Sequence, residues 1–406
     1  MIGTTAPASD APRVAVVATL DTKGLEARYL VERLHLHGVQ TVLVDTALTG
    51  ASPRDADVTR AMLATLGATD AAGDDRASAM ETTAHAAGTW LAREASAERL
   101  DGVIGIGGGT GGWISQEAFA ELPFGFPKLV LTTVVKSSGE NDITLMPSVV
   151  DVAGLNSLLC TVLDNAAAAI AGMACVPRTR PVRARRTIAM TMFGVTTTGG
   201  DIVRRTLEEA GCDVVVFHAT GAGGRTMERL IADGRFDGVV DWTTTEVTDH
   251  LVGGLCDAGP LRLEAAGVRG VPQLIVPGAV DVINVPPPVP DRYADRAIHW
   301  HLPTVPLVRT SRAESAAVGS WIAEKLNRST GPVAVLIPRG GFSSLDAVGG
   351  VFADADADAA FDEAVRATIH PSISVTTTSD HINDEAFARL AASTLLRLLD
   401  TASPKE

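Results

Sequence analysis

Five glycines in six residues, Gly107-Gly-Gly-Thr-Gly-Gly112, follow directly on the apolar run Gly102 to Ile106. Glycines let a main chain approach an anion closely, and bare amides at a strand's carboxyl end, followed by a helix, make a phosphate cradle. Gly107, Gly108, Gly109, Gly111 and Gly112 supply the backbone, Thr110 can add a hydroxyl, and a helical segment starts at Trp113. A tight strand-to-helix turn without a ligand is the competing reading. The loop lacks the Gly-Lys-Ser/Thr of a Walker P-loop, and the first strand carries no GxGxxG fingerprint, so the nucleotide is not encoded in it.

The first strand ends in Ala18-Thr-Leu-Asp-Thr-Lys-Gly24. In a parallel sheet this places Thr19, Asp21, Thr22 and Lys23 on the edge where open α/β sheets bind ligands. Lys23 can meet a phosphate, and Asp21 a magnesium ion or a ribose; helix capping by Asp21 or Thr22 competes.

A second glycine-rich turn, Phe217-His-Ala-Thr-Gly-Ala-Gly-Gly-Arg225, carries a histidine and an arginine. The histidine side chain type suits His218 to acid-base work near neutral pH, and Arg225 can fork onto a carboxylate or phosphate, with Thr220, Gly221, Gly223 and Gly224 lining the turn. Asp241-Trp-Thr-Thr-Thr-Glu-Val247 then offers Thr244, Thr245 and Glu246, with capping by Thr243 or Thr244 as the alternative. Asp281, Asn284 and Ser343-Ser344 also follow expected strands. A histidine in this setting is more often structural than catalytic.

These groups need a scaffold that brings strand ends together. β-favouring apolar runs at Arg13 to Thr19, Gln40 to Asp45, Gly102 to Ile106 and Lys128 to Thr133 alternate with helical spacing, as at Leu25 to His37. The plan restarts with Thr187 to Thr191, a helix over Asp201 to Ala210 and a strand over Asp213 to Phe217. The expectation is an α/β fold of two doubly wound, mainly parallel-sheet lobes, 11–177 and 187–400, with a cleft between them. The Arg/Pro run 178–186 reads as the linker.

The lobes echo each other: Asp101-Gly-Val-Ile-Gly matches Asp237-Gly-Val-Val-Asp, and Gly125-Phe-Pro-Lys-Leu-Val-Leu matches Gly270-Val-Pro-Gln-Leu-Ile-Val. Duplication and chance turn chemistry both explain this. Past Asn284, Pro286-Pro-Pro-Val-Pro290 demands a surface excursion. Val333 to Ile337 and Ile373 to Val375 read as further strands, and Asp384 to Leu399 as an amphipathic helix. The Asp/Ala tract Ala353 to Ala360 lacks the glycine and closing glutamate of a calcium loop.

With 406 residues, 46% hydrophobic and 20% charged, the chain can bury two cores. A net charge of -14 opposes nucleic acid as the main partner. Cys160, Cys175, Cys212 and Cys256 form no CxxC pair, so neither a zinc site nor a disulfide framework is indicated. The first ten residues read as no signal peptide, and no run of 18 uninterrupted apolar residues appears, so the expected place is the cytoplasm rather than a membrane.

Taken together, Thr19-Leu-Asp-Thr-Lys-Gly24, Gly107 to Gly112, Leu122-Pro-Phe-Gly-Phe-Pro-Lys128, Asp151-Val-Ala-Gly-Leu-Asn156, Asn165 to Ile170, Met192 to Thr197, Phe217 to Gly221, Thr243 to Val247, Pro277 to Asp281 and Ile382 to Glu385 carry a family likeness. The chain resembles the ATP-binding domain family named after the tomato mosaic virus resistance protein. That resemblance implies ATP on the first lobe, at Thr19, Asp21, Lys23 and glycines 107 to 112, with Mg²⁺ near Asp21, two α/β lobes and a homodimer. Thr110 departs from the serine or glycine usual at that position. The plant protein's barrel-type C-terminal domain has no counterpart in these residues, so an antiviral role transfers poorly.

The function expected is an ATP-using enzyme acting on a small anionic metabolite in the cleft, with His218, Arg225 and Glu246 as catalytic groups. A nonenzymatic nucleotide-binding regulator is the alternative.

Overall fold

The computed structural model describes residues 11–68, 75–135, 140–176, 185–302 and 304–402, and the chain divides into two compact units, Met1–Arg180 and Pro181–Glu406. Most of the expected 178–186 linker lies outside the described residues.

The first unit runs β1 (Arg13–Ala18), α1 (Leu20–Leu36), β2 (Gln40–Asp45), α2 (Arg60–Ala64), α3 (Arg76–Ser96), β3 (Gly102–Gly107), α4 (Gly109–Ala120), β4 (Lys128–Thr132), β5 (Thr144–Pro147) and α5 (Ser157–Ala174). All pairings are parallel, in the order β2-β1-β3-β4-β5. Alternate residues of each strand face opposite layers of helices. Val14, Val16, Ile104 and Leu131 pack with α1 and α5, whereas Ala15, Val17, Val103 and Val130 pack with α3 and α4. Near-continuous apolar strands are what two-sided burial requires. By length and composition α5 could cross a membrane, yet it lays Leu159, Leu163, Ala167 and Ile170 on the sheet.

The second unit runs β6 (Thr187–Met192), α6 (Thr197–Glu209), β7 (Asp213–His218), α7 (Ala222–Ala232), β8 (Gly238–Thr243), α8 (Thr245–Val252), α9 (Ala265–Arg269), β9 (Gln273–Gly278), β10 (Val282–Asn284), β11 (Ile298–Leu302), β12 (Val305–Arg309), α10 (Arg312–Leu326), β13 (Val333–Pro338), α11 (Ala355–Thr368), β14 (Ser374–Thr378) and α12 (Glu385–Thr401). Its main sheet is parallel, in the order β14-β13-β9-β8-β6-β7. The proline-rich excursion past Asn284 returns as an antiparallel sheet, β10-β12-β11, which strand patterning alone did not forecast. The Asp/Ala tract enters α11, with Asp354 accepting from the Ala357 amide as its N-cap.

Both main sheets place their first strand between the second and the third, so each has a switch point where successive crossovers leave in opposite directions. The sequence echo falls on equivalent positions. The Arg13 amide donates to Asp101 Oδ2 at 2.8 Å, and the Thr187 amide donates to Asp237 Oδ2 at the same distance. The Val103 and Val239 amides each donate to the carbonyl of the matching proline, Pro127 or Pro272, at 2.9 Å. In both domains an Asp-Gly pair and a Gly-X-Pro turn set the register of the third and fourth strands against the first.

Candidate functional site

The switch point of the first sheet lies between β1 and β3, and the loops leaving those strands hold Thr19 to Lys23 and Gly108 to Gly111. They border a hollow of about 290 Å³, near the small end of ligand cavities at roughly 300–1,000 Å³. Thr19, Asp21, Thr22 and Lys23 form one wall, the glycine loop forms the floor, and Leu48, Thr49 and Arg76 complete the rim.

No side chain caps α4, and its first turn holds no acidic residue. The amides of its first turn therefore have no intrahelical acceptor, and the positive end of the helix dipole points outward. What each glycine is for can be read from the space a β-carbon would need. At Gly107 it would meet Gly111 Cα at 2.8 Å, and at Gly112 it would meet Thr132 Oγ1 at 2.2 Å, so those two are required by packing. At Gly109 it would meet nothing within 4 Å, and at Gly108 only Thr133 and Asp151, both beyond 3.6 Å. Among the described residues nothing crowds a side chain at Gly109, whereas at Gly108 it is the backbone conformation (φ -76°, ψ -145°) rather than a contact that favours glycine.

Two cations stand at this hollow. Lys23 sits at a kink in α1 (φ -121°, ψ 17°), and its Nζ donates to the Val152 carbonyl, while the Gly154 amide donates to Glu26 Oε1 at 2.6 Å. These two bonds hold the 151–154 loop on α1. Arg76, exposed at the first position of α3, donates from Nη2 to Thr110 Oγ1 at 3.1 Å. A guanidinium beside the positive end of α4 is unfavourable unless an anion joins them. Arg76 was missed in the sequence because it stands 31 residues before the loop and carries no motif of its own.

Capping of α1 also differs from expectation. Neither Asp21 nor Thr22 is the N-cap. Thr19 holds that position without a side-chain cap bond, and Asp45, at the end of β2, accepts from the amides of Leu20 (3.1 Å) and Ala47 (3.0 Å). Asp21 is thereby left exposed at the rim. Asp45 is adjacent to the site only because β2 pairs with β1.

The second glycine turn is built differently. Glu246, fully buried, accepts on Oε1 from the amides of Gly221 (2.7 Å) and Gly224 (3.0 Å). The turn does bind an anion, and the anion is the protein's own carboxylate. A β-carbon would meet Asp257 O at 2.7 Å from Gly221, His218 O at 1.9 Å from Gly223 and Glu246 Oε2 at 2.2 Å from Gly224. Packing alone accounts for all three glycines.

On its other oxygen Glu246 receives Arg262 Nε at 2.8 Å, and the buried Arg262 also bonds Asp241 and, at 3.1 Å, Glu228. Burial pushes the Glu246 carboxyl up, opposed by the Arg262 guanidinium and the two amides. Burial alone would lower the Arg262 pKa, but Asp241 and Glu246 outweigh it and raise it well above its ordinary value. Arg262 lies in a stretch without catalytic patterning, so no local string marks it.

The remaining residues expected at this site separate into buried and exposed sets. Thr244, Thr245 and Asp281 are fully buried, their side chains bonding the carbonyls of Val276 (3.4 Å) and Val282 (3.1 Å) and Ser343 Oγ (2.6 Å) respectively. His218 and Arg225 are exposed. His218 stacks on Phe193 with ring centroids 5.6 Å apart, and Arg225 Nη1 donates to the Asp257 carbonyl at 2.5 Å. Thr220 is half-buried and donates to the His218 carbonyl at 3.3 Å. The structure thus joins Glu246 to the glycine turn and keeps its carboxylate out of solvent. The switch point of this sheet is also filled, with Thr196 and Thr243 hydroxyls 2.7 Å apart and the Trp242 indole donating to the Thr196 carbonyl at 3.0 Å.

One buried acid in this domain gives a pH prediction. Asp346 accepts from the Phe342 amide through Oδ2, while its Oδ1 lies 3.7 Å from Arg309 Nη2. Burial pushes its carboxyl up to about 9, with Asp281 and Asp358 acting in the same direction. The folded protein then holds a proton that the unfolded chain has released between about pH 4 and pH 9, so stability falls as pH rises through that window. Asp346→Asn should flatten that fall, read from melting temperatures at pH 5, 7 and 9; an unchanged slope would refute it.

Models of the uncharacterised protein family UPF0261 match the chain twice, the N-terminal domain over residues 12–179 and the C-terminal domain over 185–399. A UPF0261 protein of Mesorhizobium japonicum is 42% identical over 94% of this chain and 98% of its own length. One of Clostridium tetani is 36% identical over 96% and 99%. The ToMV resistance protein Tm-1 of Solanum lycopersicum is 34% identical over 98% of this chain, which spans 56% of the tomato protein. Among solved structures, an esterase domain from Rhodothermus marinus aligns at a TM-score of 0.29 and 10% identity over 53% of this chain and 87% of its own, too remote to bear on the chemistry. By two domain matches and full-length relatives, the chain belongs to the uncharacterised protein family UPF0261.

Proposed function

We propose that the first domain binds the phosphates of ATP, with Mg²⁺, and that the chain uses this nucleotide on a small anionic metabolite. The observation that carries the reading is the open space above Gly108 and Gly109, next to the uncapped first turn of α4 and bordered by Lys23 and Arg76. Phosphate oxygens would supply acceptors for the amides, which have none among the described residues, and an anion facing both cations.

Among the described residues no group of three or more His, Cys, Asp or Glu side chains could hold a metal by itself. That suits Mg²⁺, which is commonly held by one or two carboxylates plus the substrate's phosphates. Asp21 is the carboxylate at the rim that would hold it, and the ion would neutralise phosphate charge there. Adenine as the base rests on the family likeness.

Calorimetric titration of the full chain with Mg·ATP is the test. Binding of one nucleotide per chain is expected, since Glu246 already fills the second glycine turn. Arg76→Ala and Lys23→Ala should each weaken it about tenfold, the loss of one charge-assisted contact of roughly 1.5 kcal/mol. No heat with Mg·ATP at millimolar concentration would remove the proposal.

A nonenzymatic regulator is the second reading, and one observation favours it. The Glu246 carboxylate expected to act on substrate is spent on Gly221, Gly224 and Arg262. Release of ADP, AMP or phosphate during incubation with a metabolite panel separates the two readings.

A further inference from the structure

Between β5 and α5 the chain turns under constraint. The Val150 amide donates to the Ser148 carbonyl at 2.7 Å, across Val149 at a φ of +64°. This is a γ-turn of the rare, strained kind, in a conformation that a β-branched residue seldom adopts. Burial does not impose it, because Val149 is 85% exposed. The chain on either side of it is nevertheless fixed. Ser148 is buried and its Oγ donates to the Val150 carbonyl, and Val152 sits in the core beneath α1 and α5. Lys23 then holds the Val152 carbonyl, and Glu26 holds the Gly154 amide.

What this turn delivers to the first domain's hollow is Asp151. Its Oδ1 lies 3.9 Å from the place a β-carbon would take at Gly108, the N-cap of α4. Thr133 Oγ1, from the end of the neighbouring strand β4, lies 3.7 Å from the same point. A carboxylate and a hydroxyl from adjacent strand ends thus converge on the residue that opens the glycine turn. Phosphate oxygens on the α4 amides would stand beside this carboxylate, and two neighbouring anions repel unless a cation lies between them. A hydroxyl and a carboxylate are also the oxygen donors with which a protein shares Mg²⁺ with a nucleotide's phosphates.

We propose that Asp151 is a second carboxylate of the metal-nucleotide site, facing it across Gly108, and that with Thr133 it makes phosphate binding depend on Mg²⁺. The inference rests on the reading of the first domain as a nucleotide site. Asp21 faces the ion from the α1 side and Asp151 from the side of β4 and β5. Lys23 links the two sides, since the lysine that borders the hollow also holds the carbonyl next to Asp151 in the chain.

Calorimetric titration of the full chain with ATP, once with Mg²⁺ and once with excess EDTA, gives two affinities whose ratio reads the metal's share. Wild type should favour Mg·ATP by at least about tenfold, the loss of one charge-assisted contact. Asp151→Asn keeps the shape of an exposed side chain and removes its charge. It should weaken Mg·ATP about tenfold and leave metal-free ATP unchanged or tighter, so that the two affinities converge while the melting temperature stays at the wild-type value. Glu32→Gln, an exposed acid nine residues beyond Lys23 on α1, removes the same charge and should leave the ratio as in wild type. If wild type binds nucleotide and Asp151→Asn leaves the ratio unchanged, or Glu32→Gln narrows it as much, Asp151 has no such role and the nucleotide reading stands. A wild type that binds ATP in neither condition overturns both.

Discussion

Glu246→Ala is expected to lower the stability of the second domain by about 3–5 kcal/mol, as removing one partner of a buried ion pair does. Mg·ATP affinity at the first domain should stay within a factor of two. The substitution leaves the fully buried Arg262 with fewer counter-charges and strips the amides of Gly221 and Gly224 of their acceptor. Glu246→Gln should cost less, because an amide oxygen can still accept from those two glycines. Denaturant midpoints followed alongside calorimetric titration decide the matter. If the alanine variant is as stable as wild type and loses only turnover, Glu246 is a catalytic group and the structural account of the second glycine turn is wrong.

Gly109→Ala should reduce Mg·ATP affinity at least tenfold and leave the fold intact. A methyl group there touches no neighbouring segment, and exchanging glycine for alanine in a helix favours the folded state by up to about 1 kcal/mol. Helical Cβ atoms tilt toward the N-terminus, which here is the direction from which a phosphate would approach the amides. A stability gain with lost binding is hard to obtain unless a ligand occupies that space. Unchanged affinity would show that the nucleotide, if bound, sits elsewhere. Gly112→Ala is the contrasting control, since its β-carbon collides with Thr132 and should cost stability before it affects any ligand.

The space open to a β-carbon at each glycine separates the two turns, and composition carries no record of it. Gly107 to Gly112 and Gly221 to Gly224 look alike as strings, each a glycine-rich turn between strand and helix. They differ in what lies opposite. Glu246 fills one turn from a helix that begins 24 residues after Gly221, and among the described residues nothing fills the space above Gly109.

The sequence by itself determined the alternation of buried strands and helices, the restart of the plan at Thr187, the echo between Asp101 and Asp237, and the placing of Thr19 to Lys23 and Gly107 to Gly112 at strand ends. Those features are local: apolar period, turn chemistry and strand-end position act over a few residues, so each leaves its mark in a short string. The tertiary structure alone decided that β1 lies between β2 and β3, bringing the two loops together, and that Arg76 and Asp45 join them. It also decided that Glu246, Thr244, Thr245 and Asp281 are sealed inside, and that Arg262 gathers three carboxylates. A buried charge is tolerable only with partners, and those partners come from segments that fold together across tens of residues, a distance at which a single sequence carries no pairing signal.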